Sequence, residues 1–172
     1  MKIILIGFMG SGKTSVGKEL SKKLRHSCIE MDEFILKASR RNNVNEIFDK
    51  DGEIKFRELE MATAKKLRVK DNVVVSCGGG IVMNKINIDH LKQNGLVVFL
   101  NTSFETIKKR LDHDTTRPLF RDLAKTKKLY DFRQSLYHKY ANIIIDTDNK
   151  TIKKVRDEII IKLKKYETIS QK

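Results

Sequence analysis

The sequence predicts an α/β protein in which a parallel sheet is covered by helices on both faces. Three observations carry that expectation. Short apolar runs alternate with segments of helical period, and a glycine-rich loop joins the first run to the first helix. The chain is 172 residues long, with 40% apolar and 34% charged side chains. That length suits one domain spanning 1–172 with a sizeable core. The composition is too apolar for a disordered chain. No stretch approaches the ~18 unbroken apolar residues of a membrane-spanning helix.

Each element can be justified in order. Lys2–Ile6 is an apolar run of strand length, followed by a helix from about Lys13 to Leu24 with Val16, Leu20 and Leu24 along one stripe. Ser27–Met31 is a second short run, leading into a helical segment near Asp32. From Asn45 to Leu67 the period is mostly helical, interrupted at Asp51-Gly52. Asn72–Ser76 is a third strand, running into Gly78-Gly79-Gly80, and Gly95–Leu100 is a fourth. Thr102 to Glu105 reads as a capping box opening a helix that carries Ile107 and Leu111. Residues 112–124 are polar and irregular. A further helix runs to about Tyr140, then a fifth strand at Asn142–Ile145 and a closing helix with Ile152, Val155, Ile159 and Leu163. Near-continuous apolar strands alternating with helices indicate a buried parallel sheet. The lysines of the closing helix read as its solvated outer face.

Cys28 and Cys77 lie too far apart for a metal-binding pair, and each sits in an apolar run, so both are expected to be buried free thiols. The N-terminal run passes into a glycine-rich loop without a small-residue cleavage site, which favours a first strand over a secretion signal. A reducing, cytoplasmic setting is expected.

Charge is the unusual feature. Lys and Arg total 36 against 22 Asp and Glu, for a formal net charge of +14. An anionic partner is implied, whether nucleic acid, a membrane surface or phosphorylated small molecules. The excess is spread along the chain, without a basic arm or block, so charge alone does not choose among them.

The loop does choose. Gly7-Phe8-Met9-Gly10-Ser11-Gly12-Lys13-Thr14 fits G-x-x-x-x-G-K-[ST], directly after a strand and opening a helix. Its glycines let successive N–H groups turn inward toward phosphate oxygens, and the helix N-terminus adds positive potential. Lys13 then reaches the β/γ-phosphates and the Thr14 hydroxyl is placed to ligate Mg²⁺; Gly10, Ser11 and Gly12 complete the ATP-binding loop. A GTPase would need N-K-x-D to read guanine, but Asn84-Lys85-Ile86-Asn87 ends in Asn. A large ATPase would need a carboxylate closing a later strand, where this chain has Ser76-Cys77-Gly78. A small kinase remains.

Further motifs converge. Glu30-Met31-Asp32 follows the second strand, and Phe56-Arg57-Glu58-Leu59-Glu60 lies in a helix. Gly78-Gly79-Gly80 follows the third strand, Arg117-Pro118-Leu119 falls in the irregular segment, and Arg133 comes in the helix after it. In order and spacing this combination resembles the shikimate kinase family across essentially the whole chain. The resemblance implies a three-layer α/β/α fold of the nucleoside-monophosphate-kinase type with a five-stranded parallel sheet. It also implies substrate-binding helices at about 32–62 and a lid at about 112–124. The implied reaction is transfer of the ATP γ-phosphoryl group to the 3-hydroxyl of shikimate, with Mg²⁺ as cofactor and ATP and shikimate as the only partners. Neither nucleic acid nor membrane is expected to bind, and a monomer is expected.

The residues make chemical sense in the roles the resemblance implies. Asp32 would orient the acceptor hydroxyl and receive its proton; its position also fits a helix N-cap. Arg57 and Arg133 would supply guanidinium forks for the substrate carboxylate, although Arg57 equally suits an i,i+3 pair with Glu60. Gly79 and Gly80 would bring backbone N–H groups close to the substrate. Arg117 would join Lys13 at the transferring phosphoryl group, and Arg110 would pack against adenine. The adenine-contact loop falls around Asn149-Lys150. The family usually carries Asp-x-Asp after the second strand, where this chain has Glu30; its contact with Mg²⁺, through water, is expected to persist with altered geometry. Two alternatives stand beside this reading: another small-metabolite kinase such as a gluconate kinase, or a nucleotide-regulated nucleic-acid-binding module. The second lacks an aromatic-interleaved basic stretch, with no Trp and only 4 Tyr.

Overall fold

In the computed structural model, which describes residues 1–111 and 122–170, five parallel strands stand in the order β2-β3-β1-β4-β5. They are β1 (Lys2–Ile6), β2 (Ser27–Glu30), β3 (Val73–Ser76), β4 (Gly95–Asn101) and β5 (Ile143–Asp146). Between and after them come α1 (Lys13–Leu24), α2 (Met31–Ser39), α3 (Val44–Lys50), α4 (Gly52–Leu67), α5 (Lys85–Lys92), α6 (Phe104–Leu111), α7 (Leu123–Tyr140) and α8 (Ile152–Ser170). One 3-10 turn, Ile81–Met83, precedes α5. The five-stranded parallel sheet and flanking helices are those the sequence predicts.

Alternation along the central strand builds the three layers. Ile3 and Leu5 face α1 and α8, packing with Val16, Leu20, Val155, Ile159 and Leu163. Ile4 and Ile6 face the other way, into a core with Ile35, Phe56, Ile88, Leu91, Ile107 and Tyr137. Each such aliphatic contributes about 1.5–3 kcal/mol by burial, and truncating one to Ala costs roughly 2–5 kcal/mol with its cavity. The inner strands are wholly or mainly buried, whereas the edge strands β2 and β5 are partly exposed. Cys28 lies on the β2 edge and is exposed, contrary to expectation; Cys77, beneath the sheet's centre, is buried.

Polar details correct the sequence reading at three places. Asn72 takes φ 50, so it turns the chain and β3 begins at Val73. The helix after β4 is capped by Ser103, not Thr102: the Ser103 hydroxyl accepts from Thr106 N–H at 3.2 Å. The Thr102 hydroxyl is drawn instead to that of Thr147, 2.5 Å away at the end of β5. Lys2, counted above within an apolar run, is buried, and its Nζ donates to the carbonyls of Leu67 and Arg68 at 3.1 and 2.8 Å. It thereby satisfies orphan carbonyls at the end of α4, and burial lowers its pKa.

Because all strands are parallel, their C-terminal ends gather on one edge. There β1 feeds the glycine loop, β2 ends at Glu30, and β3 runs into Gly78. A crevice outside the carboxyl ends of such a sheet is where these folds bind ligands. Among the described residues no helix is long and apolar enough to cross a membrane. The expected lid at 112–124 lies outside the described residues up to 121.

Candidate active site

The loop after β1 is built on backbone that side chains disfavour. Gly10 and Gly12 adopt φ of 75 and 95, the left-handed region open to glycine. A Cβ on Gly10 would also stand 2.8 Å from Leu111 Cδ1. Ser11 N–H donates to the Phe8 carbonyl at 3.2 Å, and Val16 N–H to Gly12 at 2.9 Å as α1 begins. Lys13 crosses the loop, its Nζ donating to the Gly7 and Phe8 carbonyls at 2.9 Å each, with only 8% of the residue exposed. That tether holds an ammonium group against the loop's own carbonyls, beside the cleft that Gly10 to Thr14 line.

Thr14, in the first turn of α1, donates its hydroxyl to Glu30 Oε2 at 2.9 Å, while Lys18 Nζ sits 3.0 Å from Glu30 Oε1. The extra methylene of Glu30 therefore still brings its carboxylate to the hydroxyl expected to hold metal. Hard oxygen donors of this kind suit Mg²⁺, which keeps several waters and takes few protein ligands. Among the described residues no group of three His, Cys, Asp or Glu side chains forms a metal cage.

Asp32 falls inside the first turn of α2, whose N-cap is Glu30. The capping alternative for Asp32 is thus set aside. Its carboxylate lies against β3's exit: a Cβ on Gly78 would come within 2.9 Å of Oδ1. Asp32, Glu30, Gly10 to Thr14, Cys77 to Gly79, Arg110 and Lys150 line one cleft of about 460 Å³. Arg110 donates to the Gly10 carbonyl at 3.1 Å, so its guanidinium also braces the loop. Lys150 lies 2.6 Å from Glu158, and the neighbouring Asn149 is exposed.

Arg57, Gly80 and Arg133 are not among those lining residues; Arg57 and Arg133 lie beyond the cleft around Glu60, with Gly80 against Arg57. Arg57 donates to Glu60 at 3.1 Å and to Glu53 at 3.1 Å, so the i,i+3 pairing read from sequence is present. A Cβ on Gly80 would stand 2.7 Å from Arg57 Nη1, so the guanidinium lies directly against this glycine. Glu60 is 2% exposed and also accepts from Asn87 Nδ2 at 3.2 Å. Burial pushes its carboxyl above the usual range, opposed by Arg57 and Arg133 and reinforced by Asp32. Arg133 is 8% exposed, and burial lowers its pKa, with Arg57 adding like-charge repulsion. Arg57, Arg133, Glu60 and Asp32 therefore share one electrostatic neighbourhood. The two guanidinium groups are matched there by the carboxylates of Glu60 and Asp32, with Glu53 also paired to Arg57.

Sequence reasoning missed the groups that join these halves. The Phe8 ring is buried between α7 side chains, edge-on to Tyr130 at 5.4 Å and beneath Arg133 at 5.9 Å. Tyr137 donates its hydroxyl to the Gly79 carbonyl at 2.6 Å. Tyr137 is legible in hindsight, since it follows Arg133 by four residues and so shares its helix face. Phe8 occupies a variable position of the loop motif and carries no such signal. Arg117 lies outside the described residues.

A glycine loop that grips a lysine, a hydroxyl paired with a carboxylate, and a second carboxylate in the same cleft define a P-loop phosphotransferase of the small-kinase type. Known proteins narrow the class. The sequence profile described as "Shikimate kinase" matches residues 9–164. A shikimate kinase of Sulfurihydrogenibium sp. is 39% identical over 164 residues, 95% of this chain and 98% of its own. The structure titled as shikimate kinase from Acinetobacter baumannii in complex with shikimate superposes with a TM-score of 0.89, at 30% identity, covering 96% of this chain and 93% of its own. Shikimate kinase from Aquifex aeolicus gives 0.84 at 35% identity, covering 98% and 99%. The chain belongs to the shikimate kinase family.

Proposed function

We propose that this protein is an ATP-dependent kinase transferring the γ-phosphoryl group to the 3-hydroxyl of shikimate, giving ADP and shikimate 3-phosphate. The observation that carries the reading is that Asp32 lines the same cleft as Lys13 and Thr14. A base for an acceptor hydroxyl thereby stands beside a phosphate loop.

In this reading the inward N–H groups of Gly10 to Thr14 bind the β-phosphate, and Lys13 neutralises charge that spreads over the transferring group's oxygens. Thr14 and, through water, Glu30 would hold Mg²⁺, which supplies Lewis-acid neutralisation of the β- and γ-oxygens. Asp32 orients the acceptor hydroxyl and takes its proton as the new O–P bond forms and the bond to the ADP oxygen breaks. Arg57 and Arg133 hold the acceptor's carboxylate by charge-assisted hydrogen bonds, with Gly79 and Gly80 beside them. Arg117 joins Lys13 at the phosphoryl group, and Arg110 and the segment near Asn149-Lys150 flank the nucleotide's base. We further propose one domain over 1–172 with a lid over 112–124, a monomer, and a place in the cytoplasm.

A coupled ADP-release assay comparing shikimate with gluconate tests the reading. Turnover with shikimate and none above background with gluconate is expected; no turnover with shikimate would overturn it.

A further inference from the structure

The proposed acceptor side depends on a buried guanidinium and on a backbone segment, and one phenol neighbours both. Arg133 is a poor candidate for self-positioning. It is buried on α7, its Nε has no hydrogen-bond partner among the described residues, and its charge is opposed by that of Arg57. Its electrostatic partner on its own helix is Tyr137, one turn on. A guanidinium only donates and a phenol can both donate and accept, so the Tyr137 oxygen is the acceptor that α7 offers to Arg133. The phenolic proton goes the other way, to the Gly79 carbonyl at 2.6 Å.

The second contact has a geometric consequence. The peptide between Gly79 and Gly80 is trans, the chain having no cis bonds among its described residues. In a planar trans peptide the carbonyl and the following N–H point in opposite directions. Holding the Gly79 carbonyl on the Tyr137 side therefore turns the Gly80 N–H to the far side of that peptide. The phenol itself is immovable: Tyr137 is fully buried, its ring stacked on Phe99 at 5.1 Å and 25°.

We propose that Tyr137 is a positioning residue for acceptor binding, its hydroxyl setting the Arg133 fork and the Gly79–Gly80 peptide in mutual register. The inference rests on the kinase reading above, since it takes Arg133 and Gly80 to face the acceptor. Burial raises the phenol's pKa, so the hydroxyl stays neutral and the device works alike at neutral and mildly alkaline pH.

The test is Tyr137→Phe in the full chain, which keeps the ring and its stack on Phe99. Steady-state kinetics would be measured for both substrates, with a thermal melt alongside. The KM for shikimate is expected to rise about tenfold, the scale of one charge-assisted hydrogen bond, equally at pH 7 and pH 8.5. The KM for ATP and kcat are expected within twofold of the parent. In an Arg133→Gln background the same change is expected to raise that KM by threefold or less. Three results would each overturn the proposal: an unchanged shikimate KM, a parallel rise for both substrates, or an equal tenfold effect in the two backgrounds. A parent enzyme inactive on shikimate would instead overturn the kinase reading, so the two failures are distinguishable.

Discussion

The phosphate-loop cleft and the charged cluster beside it are made by different means. On the nucleotide side, eight consecutive residues, Gly7 to Thr14, build the site largely from main chain, and even Lys13 is held by carbonyls five and six residues away. On the side proposed for the acceptor, Asp32 comes from α2, Arg57 and Glu60 from α4, Gly79 and Gly80 from the exit of β3, and Arg133 and Tyr137 from α7. One side is a local motif; the other exists only after the sheet has gathered its strand ends. A local site should lose its chemistry through single side chains without disturbing the fold. A dispersed site, whose charges also pair with one another, should couple binding to stability.

The largest expected effect falls on the local side. Lys13→Ala should lower kcat about a thousandfold, the scale of removing a preorganised charge from a phosphoryl transition state. The chain should still melt cooperatively, only several degrees lower, because what Lys13 leaves behind is two main-chain carbonyls of the loop. Parallel steady-state kinetics and a thermal melt check both halves of that statement.

Arg57→Ala should behave otherwise. It removes a guanidinium from the acceptor and also a partner from Glu60, which is almost wholly buried. The KM for shikimate should rise about thirtyfold. Stability should fall by about 2 kcal/mol in chemical denaturation, since a buried carboxylate loses one of its donors. An effect on KM without any on stability would mean that Asn87 alone satisfies Glu60.

Glu30→Gln comes next. It keeps the length that reaches Thr14 but removes the charge beside the expected metal. The Mg²⁺ concentration giving half-maximal rate should rise severalfold, with the shikimate KM unmoved; Mg²⁺ titrations of the two proteins decide it.

The smallest effect concerns pH. Burial raises the Glu60 pKa, so the folded chain holds that proton more tightly than the unfolded chain does. Its contribution therefore favours the fold at and below the usual carboxylate range and is lost as pH rises through the raised value. Glu60→Gln should flatten the fall in stability across that window, measured as denaturation midpoints against pH.

The same contrast explains what was legible in the sequence. The strands and helices were readable because their period is local, and α1 runs from Lys13 to Leu24 as the apolar stripe implied. The phosphate loop was readable because its spacing is its mechanism. Asp32, by contrast, suited a cap and a base equally until β2 was seen to end at Glu30, which put Asp32 inside the helix. Thr102 was taken for a cap because nothing local foretold Thr147 beside it. Cys28 was expected in the core because its run is apolar, but strand order made β2 an edge. For Thr102 and Cys28 the deciding neighbours are distant in sequence. The acceptor arginines were found through a family resemblance, since a guanidinium on a helix carries no mark of the partner it will meet. The charge of +14 is sorted in the same way: Lys13, Arg57, Arg110 and Arg133 are drawn to one end of the sheet, while lysines such as Lys153 and Lys154 stay on an outer helix face.

The central claim is that both halves act on one acceptor hydroxyl, with Asp32 as the base beside the phosphate loop. The most direct test is the turnover of Asp32→Asn with shikimate at saturating MgATP, together with its affinity for ADP. The account predicts a fall in kcat of at least a hundredfold with ADP affinity unchanged. A kcat within threefold of the parent would contradict it.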